Sequence, residues 1–168
     1  MSAAKPLARI AVGVVIERRK ATSAWADTIW RSVAVLGGVP EAAPWTVIAA
    51  GDDVATFYVG AAEIELYRTE AEHYWSNLES AEPSVWVALR PTGADPPYAL
   101  FAVTVDPAEG ESFTQAGGDV VDAVPMPAVV RETVEAFVAQ HHVVQPHYRR
   151  SRTDAREERE PLRKGRKA

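Results

Sequence analysis

From Arg9 to Val124 the apolar residues come in short stretches of alternating polarity, and most of these stretches end at Gly, Pro or Asp. A period of two throws successive side chains onto opposite faces, so a chain written this way is committed to half-buried strands rather than long helices. "RIAVGVVIE" (9–17) sets Ile10, Val12, Val14 and Ile16 on one face. "TIWRSVAVLGG" (28–38) gives a second strand that stops at Gly37-Gly38. "WTVIAAGDDVATFYVGA" (45–61) reads as a hairpin, with strands near 45–50 and 54–60 joined across Gly51-Asp52-Asp53. "AEIELYR" (62–68), "SVWVALR" (84–90), "YALFAVTV" (98–105) and "DVVDAV" (119–124) supply further strands.

Two segments break to a helical period. In "RTEAEHYWSNLES" (68–80), Thr69 and Glu72 have the spacing of a capping box, in which each side chain satisfies a free backbone N–H at the helix start. Ala71, Tyr74, Trp75 and Leu78 then form the packing face, with His73, Ser76 and Asn77 opposite. In "PMPAVVRETVEAFVAQHH" (125–142), Pro127 opens a helix whose Met126, Val130, Val134, Phe137, Val138 and His141 share one face. The loop "DPAEGESFTQAGG" (106–118) has room for one short helical turn. The expectation is an α+β domain: a mostly antiparallel sheet of about seven strands, one mid-chain helix, and a C-terminal helix packed on the sheet. It spans residues 1–148, with a charged tail over 149–168.

The chain has 168 residues and no cysteine, which removes disulfides, thiolate metal sites and cysteine nucleophiles together. With no apolar run near 18 residues, a membrane span is not expected, and the cytoplasm is the expected location. The net charge of −5 is unevenly spread. Residues 143–168 carry nine of the 18 Lys and Arg against four of the 23 acids, a net +5, leaving −10 on residues 1–142. An acidic body argues against nucleic acid as a partner, while the basic tail suits an acidic partner, an RNA or the acidic body itself.

No reaction is spelled out. No phosphate-cradling glycine loop, Gly-x-Ser-x-Gly elbow, His-Glu-x-x-His helix or calcium loop is read from the chain, and no carboxylate–histidine spacing of a di-iron bundle is expected. Adjacent His141 and His142 diverge by about 100° on a helix, so neither they nor His147 make a metal site on their own. No catalytic residue, metal or bound cofactor is therefore expected, and the chain reads as a binding protein more readily than as an enzyme. Trp25 and Trp30 stand just ahead of Arg31, a combination enriched where proteins bind one another. The helix exit "HHVVQPHYRR" adds His142, His147, Tyr148, Arg149 and Arg150 to the candidate partner surface. The alternative is a small-molecule site in which Arg68, His73 and Asn77 surround a phosphate.

The blocks "ELYRTE…Y..NLES…V.V.LRP" and "VPMP…FV..HH…P.Y.R", spread over roughly residues 9–150, resemble an uncharacterised bacterial family known as domain of unknown function 3305. Members of that family are often encoded beside molybdenum-dependent formate dehydrogenases and their assembly factors. The resemblance implies an accessory or maturation role for such an enzyme, exercised by binding a molybdoenzyme subunit or a maturation factor. In the alternative reading it implies a small carrier or enzyme for the molybdopterin or a nucleotide. It brings no catalytic residues with it.

Overall fold

The computed structural model describes residues 4–22 and 27–142. Seven strands, three helices and one 3-10 turn follow in the order β1 (Ala8–Lys20), β2 (Thr28–Leu36), β3 (Thr46–Ala50), β4 (Val54–Leu66), the turn (Arg68–Glu70), α1 (Ala71–Glu79), β5 (Ser84–Pro91), β6 (Tyr98–Thr104), α2 (Pro107–Phe113), β7 (Val120–Pro125) and α3 (Ala128–His141). The fold is α+β and every strand pairing is antiparallel. The strands divide into two sheets, ordered β2-β1-β4-β3 and β6-β5-β7. Beyond these ladders, β2 runs beside β7 and β4 beside β6, so the sheets enclose one apolar space.

That space is filled as the alternation in β1 requires. Ile10, Val12, Val14 and Ile16 are buried, and they meet Val85, Val87 and Leu89 from β5 and Ile64 and Leu66 from β4 in a single cluster. Val130, Val134, Phe137 and Val138 of α3 join the same cluster, with Tyr74 of α1 edge-on to Phe137 at 5.9 Å. The mainly aliphatic, interlocked filling is the principal driving force for the fold, at about 25 cal/mol per Å² of apolar surface removed from water.

The two hairpin-side strands expected at 54–60 and 62–68 are one strand. The ladder from β1 steps from Val14↔Gly60 to Val15↔Tyr58, which leaves Val59 as the extra residue of a bulge. Gly60 takes φ +137°, where a side chain would be strained, and the strand bends there instead of ending. Two helix-start expectations also change. α1 begins at Ala71 with Glu70, not Thr69, as its N-cap, and the Glu70 side chain makes no cap hydrogen bond. The entry is closed instead by the Tyr74 hydroxyl, which accepts from the Tyr67 N–H at 2.9 Å. Pro127 sits one position ahead of α3, and its carbonyl accepts from Arg131 N–H at 2.9 Å.

The loop 106–118 holds a third helix, α2, rather than a single turn. Asp106 is its N-cap, with the side chain accepting from the Ala108 and Glu109 N–H groups and Pro107 in the first turn. Among the described residues, no helix is long and apolar enough to cross a membrane.

Candidate functional site

Residues Trp25, His147, Tyr148, Arg149 and Arg150, and the whole tail 149–168, lie outside the described residues. The other expected partner residues are separated by the pleat of β2. Trp30 points inward and Arg31 outward, where its Nη2 lies 3.3 Å from Glu17 Oε1. Arg19 holds the same oxygen at 3.0 Å, and only 11% of the Glu17 side chain is exposed. Burial works against the Glu17 charge, but the Arg19 hydrogen bond and the charges of Arg31 and Arg19 outweigh it and hold its pKa below the ordinary 4.5. A depressed carboxylate contributes stability above its unfolded pKa and loses it as pH falls through the folded value. Glu17→Gln is therefore expected to flatten the acid limb of thermal stability below about pH 4.5, with little change in shape above it. Melting curves collected from pH 3 to 7 check this, and parallel acid limbs for the two proteins would reject it.

Trp30 has an arginine partner after all, drawn from the neighbouring strand. Arg18 stands directly opposite Trp30 in the β1–β2 ladder. It is the next core-facing position after Ile16, and it emerges where the sheets open. Its guanidinium lies 5.7 Å from the Trp30 ring and 5.3 Å from Phe57. Around Trp30 stand Trp45 at 5.8 Å, Phe57 at 5.9 Å and Tyr98 at 6.0 Å, one ring each from four different parts of the chain. All four rings are half-buried, against the core on one side and open on the other.

Trp45 is held at φ +70°, a backbone conformation that costs a bulky residue of order 1–3 kcal/mol. Its N–H donates to the Tyr58 carbonyl at 2.6 Å, which fixes the ring over Phe57 at 5.6 Å. An aromatic mouth capped by an arginine is thus built at one end of the sheets. Pattern reasoning identified Trp30 but missed Arg18, Trp45, Phe57 and Tyr98. Only Arg18 left a readable signal, as a charge at an inward position of β1.

The second locus gathers on the opening of α1. Asn77 is only 3% exposed and works inward. Its amide nitrogen donates to the Ser84 and Val105 carbonyls, each at 2.8 Å, and its oxygen accepts from Ser84 N–H at 3.0 Å. Both donors are committed to backbone, so Asn77 staples α1 to β5 and to the end of β6 and has no donor to offer a phosphate. Trp75, expected in the packing face, is 43% exposed instead and stacks flat on His142 at 5.3 Å. His141 leans on Phe137 at 4.5 Å. Arg68 is exposed on the 3-10 turn.

His73 faces a carboxylate from each side. Its Nδ1 lies 2.9 Å from Glu70 Oε2 and 3.0 Å from Asp106 Oδ1. The Asp106 hydrogen bond, together with the charges of Asp106, Glu70 and Glu72, overcomes burial and raises the His73 pKa above 6.5. A separate groove of about 430 Å³ between β4 and β6 is acidic, lined by Glu63, Glu65 and Glu109 among others. Burial and the Asp106 charge push the Glu109 carboxyl upward.

The described residues thus form a two-sheet α+β domain with an aromatic–arginine mouth at one end and a His73-centred carboxylate cluster beside α1. The family described as protein of unknown function (DUF3305) matches residues 11–152, and the chain belongs to it. No curated protein and no solved structure matches the chain.

Proposed function

We propose that this protein is a non-catalytic accessory factor that acts by binding another protein through the aromatic mouth. The observation that supports this most directly is the exposed Arg18 guanidinium set over a half-buried cage of Trp30, Trp45, Phe57 and Tyr98. Trp, Tyr and Arg dominate the residues that carry binding energy at protein interfaces, and they do so where a desolvated centre is ringed by less buried contacts. The left-handed Trp45 is in keeping with that role, since strain of this kind is retained where function asks for it. The resemblance to a family encoded beside molybdenum-dependent formate dehydrogenases supplies the partner class: a subunit of that enzyme or one of its maturation factors. A pterin or nucleotide carrier is the weaker reading, because Asn77 is spent on backbone and only His73 and Arg68 of its three expected ligands remain accessible.

The test is capture of partners from the native host, grown with formate and molybdate, by full-length tagged protein. Wild type is expected to retain a formate dehydrogenase subunit or maturation factor. Arg18→Glu, a change at an exposed side chain, is expected to weaken capture by roughly tenfold or more. Trp30→Ala should do the same, with a melting curve to confirm folding. Equal capture by wild type and Arg18→Glu would remove the mouth as the docking surface. Recovery of no molybdoenzyme component would remove the partner class.

A further inference from the structure

The Glu70–His73–Asp106 cluster is independent of the mouth and brings two carboxylates onto one imidazole nitrogen. Nδ1 of His73 lies 2.9 Å from Glu70 Oε2, 3.0 Å from Asp106 Oδ1 and 3.1 Å from Asp106 Oδ2. One ring nitrogen has either a single proton or a single lone pair, so at most one of these approaches can be a well-aligned hydrogen bond. Oxygen and nitrogen ligands about 2.1 Å from a divalent ion sit about 3 Å from one another when they occupy neighbouring coordination positions. The spacings around Nδ1 have that value, and ligand atoms from all three residues fall within 4.8 Å of each other.

We propose that Glu70, His73 and Asp106 form a binding site for a first-row divalent transition ion, with one imidazole nitrogen and two carboxylate oxygens as protein ligands. The charges balance, since two carboxylates and a neutral imidazole cancel the ion. The donor set of nitrogen and oxygen without sulfur suits Mn²⁺, Fe²⁺, Co²⁺ or Zn²⁺.

Asp106 is already oriented for the task. It is 5% exposed, its own N–H donates to Thr104 Oγ1 at 3.1 Å, and its Oδ1 accepts from Ala108 N–H at 2.9 Å. The Ala108 bond and a longer one from Glu109 N–H occupy Oδ1 and leave Oδ2, 3.1 Å from His73 Nδ1, as the ligand atom. Backbone support of this kind fixes a coordinating carboxylate before the ion arrives. Glu70, the last residue of the 3-10 turn and the N-cap of α1, stands three residues ahead of His73 and turns its carboxylate onto it, a Glu-x-x-His spacing of the kind carboxylate-bridged metal proteins use and one not expected from the sequence. The His73 side chain is 46% exposed, and a cavity of about 200 Å³ lined by His73, Ser76, Pro107, Ala108 and Glu111 adjoins it. An ion held here keeps positions open to water, in contrast to a closed structural site.

The experiment is calorimetric titration of the full chain, stripped with chelator, with Zn²⁺, repeated with Co²⁺ while following its visible absorption. Wild type is expected to bind one ion, with a cobalt spectrum showing nitrogen ligation. His73→Ala should abolish that spectrum. Glu70→Gln, and Asp106→Asn, which keeps an acceptor for the helix cap, should each weaken binding by at least roughly tenfold. Melting curves of each variant in chelator separate loss of a ligand from loss of the fold, and Glu70→Gln decides the matter if another variant does not fold. Saturable binding that is unchanged in His73→Ala would place the ion elsewhere, as at His141 and His142, and would overturn the proposal. Absence of saturable binding below about 1 mM would overturn it equally.

Discussion

Asn77→Ala is expected to lower the unfolding free energy by about 3 kcal/mol, one of the largest effects of any single polar substitution in the domain. The side chain is 3% exposed and makes three hydrogen bonds, all to backbone groups of Ser84 and Val105. Alanine removes the amide and leaves two carbonyls and an N–H with no protein partner in its place. An abandoned buried polar group costs about 1–3 kcal/mol, and water reaching the Ser84 end recovers part of that loss. For a domain of this size the change corresponds to a fall in melting temperature on the order of 10 °C. Denaturant and thermal unfolding of Asn77→Ala beside Ser76→Ala, an exposed neighbour, measure it. A shift below about 1 kcal/mol would mean that Asn77 is not the staple between α1 and the second sheet.

Gly110→Ala is the second large effect, and its sign runs against helix propensity. In an exposed helix the substitution would stabilise by up to about 1 kcal/mol. Here the added Cβ would lie 2.3 Å from Trp86 Cγ and 2.6 Å from both neighbouring ring carbons. Either the indole leaves its place on β5 or α2 lifts away from the sheet. Overpacking of that severity costs about 2–3 kcal/mol after the propensity gain is set against it. Gly117→Ala is the control, since nothing lies within 4 Å of its Cβ position, and it is expected to stay within about 0.5 kcal/mol of wild type. A stable Gly110→Ala protein would show that α2 rides loosely on Trp86. Because Asp106 is the N-cap of α2, the same substitution is also expected to weaken ion binding at His73.

The strands were legible because alternation needs no partner to be read. Ile10, Val12, Val14 and Ile16 declare an inward face whatever lies opposite, and all four are buried. α3 was legible for the same reason at the helical period. What pattern reading divided in two, the strand Val54–Leu66, is continuous because Gly60 lets the chain bulge without breaking the ladder. A glycine between two strand-like runs looks the same in sequence whether it ends a strand or bends one.

The sites were much less legible. Local spacing suggested that Thr69 and Glu72 would cap α1, but Glu70 turns to His73 and Tyr74 closes the helix entry. Trp75 and Asn77 exchanged their expected sides: the polar residue is buried and the indole stacks on His142 at the surface. Hydrophobicity ranks Trp above Asn for burial, but only the neighbouring strand ends show that three backbone groups stand ready for an amide.

The sequence by itself determined the α+β class, the antiparallel character, the apolar faces of β1 and α3, and the exclusion of cysteine chemistry. Each of these follows from composition or from a period repeated along one segment. The tertiary structure decided everything that needs residues far apart to meet. Arg18 reaches Trp30 and Phe57 across two ladders, and Asp106 reaches His73 from 33 positions away. Glu70–His73 is a readable spacing but a common one, and it acquires a third ligand only because α2 packs its N-cap against α1. Periodicity reports which face a side chain takes, whereas a site depends on which faces come together, and that is set by how the two sheets and three helices close on their shared core.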